Sequence, residues 1–380
     1  MLDQLFVSLK DGLFEIAARF LPAWAMTVLA VMFPIAVIAA IAPAIMMYFT
    51  WIERKLIARM QNRFGPTRVG LYGLAQPLAD GLKMLVKEDV VPRHADKLLH
   101  TLAPIVALIP AILLFAVIPF GRRMVAADLN IGLLYILAIS SISAYAIFMG
   151  GWASRSKFPM LGAMRAVAQI ISYEVPGVLS VAALIMVTGT LSLVGIVEAQ
   201  QHQWFICTPW GLTGFVIFFL SGVAEVNRTP FDMPEAESEL VAGFHTEYSG
   251  MKFALWYMAE FMNVFTVSAL TATLFLGGYQ GPGLPSWAWF MMKTYALVFV
   301  MMWFRGTLPR LRVDQLMGLA WKFLLPLALI NILVTGIWFF IPDLRLRLGV
   351  SIGILGVSFG LLVFLNRPYV PEKRVYQFAE

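Results

Sequence analysis

Two glutamates stand inside apolar sequence: Glu174 in MRAVAQIISYEVPGVL and Glu260 in ALWYMAEFMNVF. An ionisable group at bilayer depth costs roughly 2.5–3.5 kcal/mol, so it faces protein or water and marks either an ion or proton route or a satisfied structural carboxyl. Pro176, two residues beyond Glu174, clashes with the carbonyl of Ser172 and removes one ladder bond. A kinked helix carrying a structural carboxyl therefore stays open beside the proton relay. A third glutamate, Glu225, opens an acidic stretch, 225–252, in which Asp232, Glu235, Glu237, Glu239 and Glu247 face only Arg228 and Lys252. Asp232 and Glu235 with Pro234 fit a helix start, where acid suits the dipole. That leaves Glu237, Glu239 and Glu247 unexplained. Crowded carboxylates raise one another's proton affinity, so the cluster reads as a proton-exchange site, with a solvated acidic surface as the alternative.

Basic residues form two further groups. Glu53-Arg54-Lys55 is followed by Arg59, Gln61, Arg63 and the turn Phe64-Gly65-Pro66. An interfacial anchor accounts for Arg54, Lys55 and Arg59, but not for an acid at Glu53. Arg305, Arg310 and Arg312 surround Pro309 and precede Asp314, and are expected to pair with the excess carboxylates of 225–252. Other chemistry is poorly provided for. One cysteine, Cys207, excludes a cysteine-ligated iron–sulfur cluster, and the four histidines offer no HxxxH pair. No GxGxxG follows a strand and no GxxxxGK[ST] occurs, so no metal, nucleotide or redox cofactor is expected on this chain alone.

The elements that must position these groups follow from composition. Of the 380 residues 60% are hydrophobic and 13% charged, with mean hydropathy +0.80, which no water-facing surface accommodates. The expected fold is all-α, a single polytopic membrane domain over 1–380. About nine spans are expected near 21–52, 98–121, 129–154, 166–190, 204–224, 253–276, 285–304, 323–342 and 348–366, since a core of roughly 30 Å needs about 20 helical residues. Residues 1–20 and 69–87 have apolar residues at helical spacing and are expected to lie in the interface, the second kinked near Pro77. Alternate loops hold 21 and 7 of the 28 lysines and arginines. This bias places the N-terminus outside and the C-terminus in the cytoplasm, and explains a net charge of +6 without nucleic acid. No internal repeat is visible, which weighs against a secondary transporter.

Five blocks carry a resemblance: ERKLIARMQNRFGP, LAQPLADGLKMLVKED, MRAVAQIISYE, AEVNRTPFDMPEAESELVAGFHTEYSG and LPRLRVDQLMGLAWKFLLP. In this order they resemble the quinone-chamber membrane subunits of respiratory complex I, the proton-pumping NADH:quinone oxidoreductase, from about residue 24 to about 342. The stretch 343–380, a further span and tail, is similar to longer bacterial members and implies a bacterial inner membrane rather than a mitochondrial one. The resemblance implies a ubiquinone chamber bordered by Glu53, Arg54, Arg63, Asp80, Arg228, Asp232, Arg305, Arg310, Arg312 and Asp314. It implies a proton path through Glu174, Glu225 and Glu260, with Glu235, Glu237, Glu239 and Glu247 at its mouth. NADH, FMN and the iron–sulfur clusters are implied to belong to partner subunits of the peripheral arm, and small and antiporter-like subunits to flank the chain in the membrane. The alternatives are the homologous membrane subunit of an energy-converting hydrogenase and a stand-alone ion transporter.

Overall fold

A computed structural model describes residues 5–19, 21–233 and 241–366, and apart from one isolated bridge, Gly121 to Met124, the regular structure among them is helical. The order is α1 (Leu5–Ala18), α2 (Ala23–Met60), α3 (Gln76–Val86), α4 (Lys97–Leu114), α5 (Gly132–Ser140), α6 (Ile142–Ala153), α7 (Lys157–Thr188) and α8 (Leu193–Ala199). There follow α9 (Pro209–Glu225), α10 (Gly250–Phe275), α11 (Ser286–Thr307), α12 (Val313–Gly318), a π-helical turn (Leu319–Leu324), α13 (Leu325–Phe340) and α14 (Leu344–Leu365).

Eight stretches are long and apolar enough to cross a bilayer: α2, α4, α5 with α6, α7, α10, α11, α12 through α13, and α14. The fifth expected span, 204–224, is α9, which is apolar but has only 17 residues, about 25 Å of helix. The protein is an all-α polytopic membrane protein. α7 starts at Lys157, nine residues ahead of the expected boundary, with Ser156 in extended conformation just before it, so the stretch from Lys157 to Arg165 is helix rather than loop. Glu174 therefore lies 17 residues into its helix, not eight. Pro176 is accommodated inside α7 without ending it. Pro77 falls in the first turn of α3, where a missing N–H costs nothing, so it starts that helix instead of kinking it. Leu74, Leu78, Leu82 and Leu85 beside it are exposed.

α10 is the axis of the bundle, with 83% of its most apolar stretch buried, against 11% for α2 and 17% for α14. It carries hydroxyls into that interior at little cost. Thr266, Ser268, Thr271 and Thr273 each donate to the carbonyl four residues back, at 3.0, 2.9, 2.7 and 2.7 Å. α7 packs on α6, α9 and α13, and α10 on α2, α4, α9 and α11. Near its N-terminus, α7 touches the turn Gly243–His245 so closely that a Cβ on Gly162 would meet the Gly243 Cα at 2.8 Å. Only a glycine pair permits this approach. The π-helical turn is tied to α7 on both sides of its own start: Tyr173 donates to the Leu316 carbonyl at 2.8 Å, and Trp321 donates to the Ser172 hydroxyl at 3.2 Å.

Candidate functional site: a buried ion network and two acidic cavities

The site is assembled where α9 ends. Glu225 is its last residue, and Asn227 adopts a left-handed φ of 57°, which asparagine tolerates and which turns the chain sharply. The amide of buried Gln169 on α7 fixes this turn. Its Nε2 lies 2.7 Å from the Ala224 carbonyl, 2.7 Å from the Phe231 carbonyl and 3.1 Å from Asn227 Oδ1. The turn delivers Arg228 into the space between α2 and α10.

There Arg228 is 6% exposed and Glu53 6% exposed, and the two are joined by Nη1 at 2.9 and 3.0 Å from the carboxylate oxygens. Arg228 Nε lies 2.9 Å from Glu260 Oε1, and the guanidinium sits over the Phe261 ring at 4.4 Å. Arg305 from α11 also donates to Glu53. The acid that seemed out of place at Glu53 thus has two arginine partners. Charges this deep persist only when paired in this way, because removing either partner strands the other in low dielectric.

An open recess of about 1220 Å³ lies on the outer side of this network. Glu53, Arg54, Arg63, Arg305, Tyr257 and Phe261 are among its walls, with the turn Phe64-Gly65-Pro66. Asp80 from α3 is 2.5 Å from Arg54 and accepts from Gln76 at 3.0 Å, which ties the helix with the exposed leucines to this wall. Asp232 pairs with Arg310 at 3.0 Å, and Leu311 N–H donates to the Pro230 carbonyl at 3.1 Å. Of the pairs expected between arginines of 305–312 and acids of 225–252, this is the one present among the described residues. Arg305 takes Glu53 instead, and Arg312 and Asp314 stand exposed at the start of α12, away from the recess.

Behind the network lie two cavities. One of about 520 Å³ is lined by Glu225, Glu260, Asn227, Asn263, Ser143 and His245 among others. The next, of about 720 Å³, shares Glu225, Asn263 and Ser143 and reaches Glu174, Tyr173, Ser140 and Thr266. The two cavities bring Glu174, Glu225 and Glu260 into one neighbourhood, with Glu225 on the wall of both. Glu247 is half-buried beside Tyr248 and lines neither cavity. Glu235, Glu237 and Glu239, with the helix start expected at Asp232 to Glu235, lie outside the described residues. Sequence reasoning missed Gln169, Asn227, Asn263 and His245. Gln169 lies five residues before Glu174 in the block MRAVAQIISYE, one helical turn from Tyr173, and that spacing was the available signal.

Burial pushes the imidazole of His245, on the inner loop, down to about 3. Burial likewise raises the Tyr248 phenol above its ordinary value. Among the described residues no group of three His, Cys, Asp or Glu could hold a metal ion.

A polytopic helical bundle with a buried arginine–carboxylate network beside an open polar recess defines the class as a multi-pass membrane protein. Its sequence matches the family model described as NADH dehydrogenase over residues 33–336. It is 51% identical over 322 residues to the H-type subunit of NADH-quinone oxidoreductase from Dehalococcoides mccartyi, covering 84% of this chain and 90% of that one. The second H-type subunit of Geobacter sulfurreducens is 52% identical over 311 residues (80% and 94%), and that of Syntrophobacter fumaroxidans 48% over 324 residues (83% and 97%). The chain belongs to this family, as a membrane subunit of an NADH-quinone oxidoreductase complex.

Proposed function

We propose that this subunit forms much of the chamber by which ubiquinone reaches the peripheral arm, and that it converts quinone reduction into proton movement along its carboxylates. One observation carries the reading: Arg228 links the wall of the open recess, through Glu53, to the first carboxylate of the file, Glu260. Reduction of a quinone takes two electrons and two protons, so charge changes in the chamber while the reaction runs. A charge change within reach of Glu53 or Arg305 alters how Arg228 is shared between Glu53 and Glu260, and with it the proton affinity of the file beyond. Electron transfer itself falls to partner subunits, which carry FMN and the iron–sulfur clusters and accept NADH. The chamber-side groups are Glu53, Arg54, Arg63, Asp80, Arg228, Asp232, Arg305 and Arg310, with Arg312 and Asp314 facing the peripheral arm. The path runs through Glu260, Glu225 and Glu174, with Glu247 and the acids at 235, 237 and 239 at its mouth, towards small and antiporter-like membrane subunits. Charge bias in the loops supports a bacterial inner membrane protein with its N-terminus outside and its C-terminus in the cytoplasm.

The test is Glu225→Gln, which keeps shape and removes ionisation. In inverted membrane vesicles the variant complex is expected to oxidise NADH normally with a hydrophilic acceptor, a reaction of the soluble arm. Quinone-linked oxidation and proton uptake fall together. Wild-type pumping with quinone as acceptor would take Glu225 off the path.

A further inference from the structure

We infer that His245 passes protons between Glu260 and Glu225, acting as a neutral imidazole relay at the inner end of the acidic file. This rests on the reading of that file as a proton path. Glu260 sits on α10 and Glu225 ends α9, and His245 lines the same 520 Å³ cavity from a third element, the turn Gly243–His245. The other polar groups on that wall, Ser143, Asn227 and Asn263, do not titrate. His245 is thus the one group beside the two carboxylates on the wall that can accept a proton at one atom and release another elsewhere.

Its ring is packed among aromatic neighbours. Phe244 lies at a centroid distance of 3.7 Å, Trp256 meets it edge-on at 5.6 Å and Phe253 edge-on at 5.9 Å. The loop that carries it cannot drift from α7, because Gly243 abuts Gly162. Burial keeps the ring neutral, so one nitrogen carries hydrogen and the other a lone pair. The groups facing it that can change charge are Glu225 from α9 and Glu260 from α10.

The step balances without electrons. The carboxyl O–H of Glu260 breaks as an N–H forms on one ring nitrogen. The N–H on the other nitrogen breaks as an O–H forms on Glu225, directly or through water. The ring regains its first tautomer through water in the cavity, which takes the proton from the newly protonated nitrogen as it returns one to the other. Because desolvation disfavours imidazolium, the ring does not retain the proton, and the charge moves on to a carboxylate that can hold it.

The experiment uses the whole complex in inverted vesicles. His245→Phe fills the aromatic seat and abolishes the relay. NADH oxidation with a hydrophilic acceptor should stay at the wild-type rate, while quinone-linked proton uptake falls by about a hundredfold, the low end for loss of an acid–base group. His245→Gln keeps polar atoms on the cavity wall but cannot exchange donor for acceptor. Its quinone-linked rate should fall as well, with a larger solvent deuterium isotope effect than the wild type, which a merely structural role would not produce. A wild-type rate and isotope effect in His245→Gln overturn the relay, even where the Phe variant fails to assemble. If Glu225→Gln is impaired in the same vesicles, only the relay is lost. If Glu225→Gln also pumps normally, the path itself is wrong.

Discussion

Arg228 reaches Glu53 across 175 residues of sequence and touches both of its carboxylate oxygens from a single nitrogen, at 2.9 and 3.0 Å. Both side chains are 7% exposed. Removing the arginine leaves Glu53 dependent on Arg305 and strips Glu260 of this pairing. Arg228→Ala is expected to cost about 3–5 kcal/mol, the range for breaking a buried pair. Arg228→Lys restores the charge but not the two-sided reach, and should fall between. The check is the yield of assembled complex and the midpoint of its thermal inactivation. An Arg228→Ala complex as heat-stable as the wild type would contradict this account of the network.

Arg310 is a milder case, since its side chain is 39% exposed while Asp232 is 9% exposed. Solvent screens the guanidinium but not the acid. Arg310→Ala should therefore cost about 1–3 kcal/mol, the penalty of a buried acceptor deprived of a donor. The loss should show as easier release of the peripheral arm at raised salt, measured by sedimentation of the complex. Unchanged release would mean that the pair does not brace the inner loops.

Asp80 couples α3, with its exposed leucines, to the wall of the recess through Arg54. Asp80→Leu frees that helix while leaving the Arg228 network intact. Apparent affinity is expected to drop more for long-tailed than for short-tailed quinones, because in the proposed chamber the tail enters beside α3. Equal losses for both would place Asp80 away from the tail.

The inner loop should loosen in acid. His245 has a folded pKa of about 3, below the ordinary value of 6.5, so the unfolded loop takes up a proton before the folded one does. Its neutral seat contributes fully above about 6.5, and stability is lost as pH falls below that, by about 1.4 kcal/mol per unit. Hydrogen exchange of segment 241–249, corrected for intrinsic rates, should be faster at pH 5 than at pH 7 in the wild-type complex. His245→Phe should abolish the difference. Its persistence in the variant would assign the effect to other groups.

Much of this fold was legible because lipid imposes a simple rule on length and composition. The runs that became α2, α4, α10 and α11 could hardly be anything else. The start of α7 is harder to read, by nine residues, because its first turns, Lys157 to Arg165, mix charge with apolar residues and look like loop to a hydropathy reading. At the site, Glu174, Glu225 and Glu260 are conspicuous as acids in apolar surroundings. Their partners are harder to see. Arg228 and Glu53 are joined only by the turn at Asn227, and no spacing in the sequence encodes that meeting. His245 escapes notice because it lies in a polar loop, where histidine is unremarkable; its burial comes from α6 and α7, far away along the chain, and from Phe253 and Trp256 just beyond it.

The π-helical turn at Leu319–Leu324 holds one residue more than α-helical winding would use. One residue corresponds to about 100° of rotation about a helix axis. The insertion therefore acts as a phase offset between α13, locked among its neighbours in the bilayer, and α12, which carries the arginine loop behind it. Straightening the turn to α-helical winding would swing α12 by about a quarter turn against a stationary span. The hydrogen bonds from Tyr173 to the Leu316 carbonyl and from Trp321 to the Ser172 hydroxyl hold the offset in place, both anchored on α7 just ahead of Glu174. On the proposed function a signal passes from that loop to a carboxylate on α7, and this offset of a single peptide lies between the two.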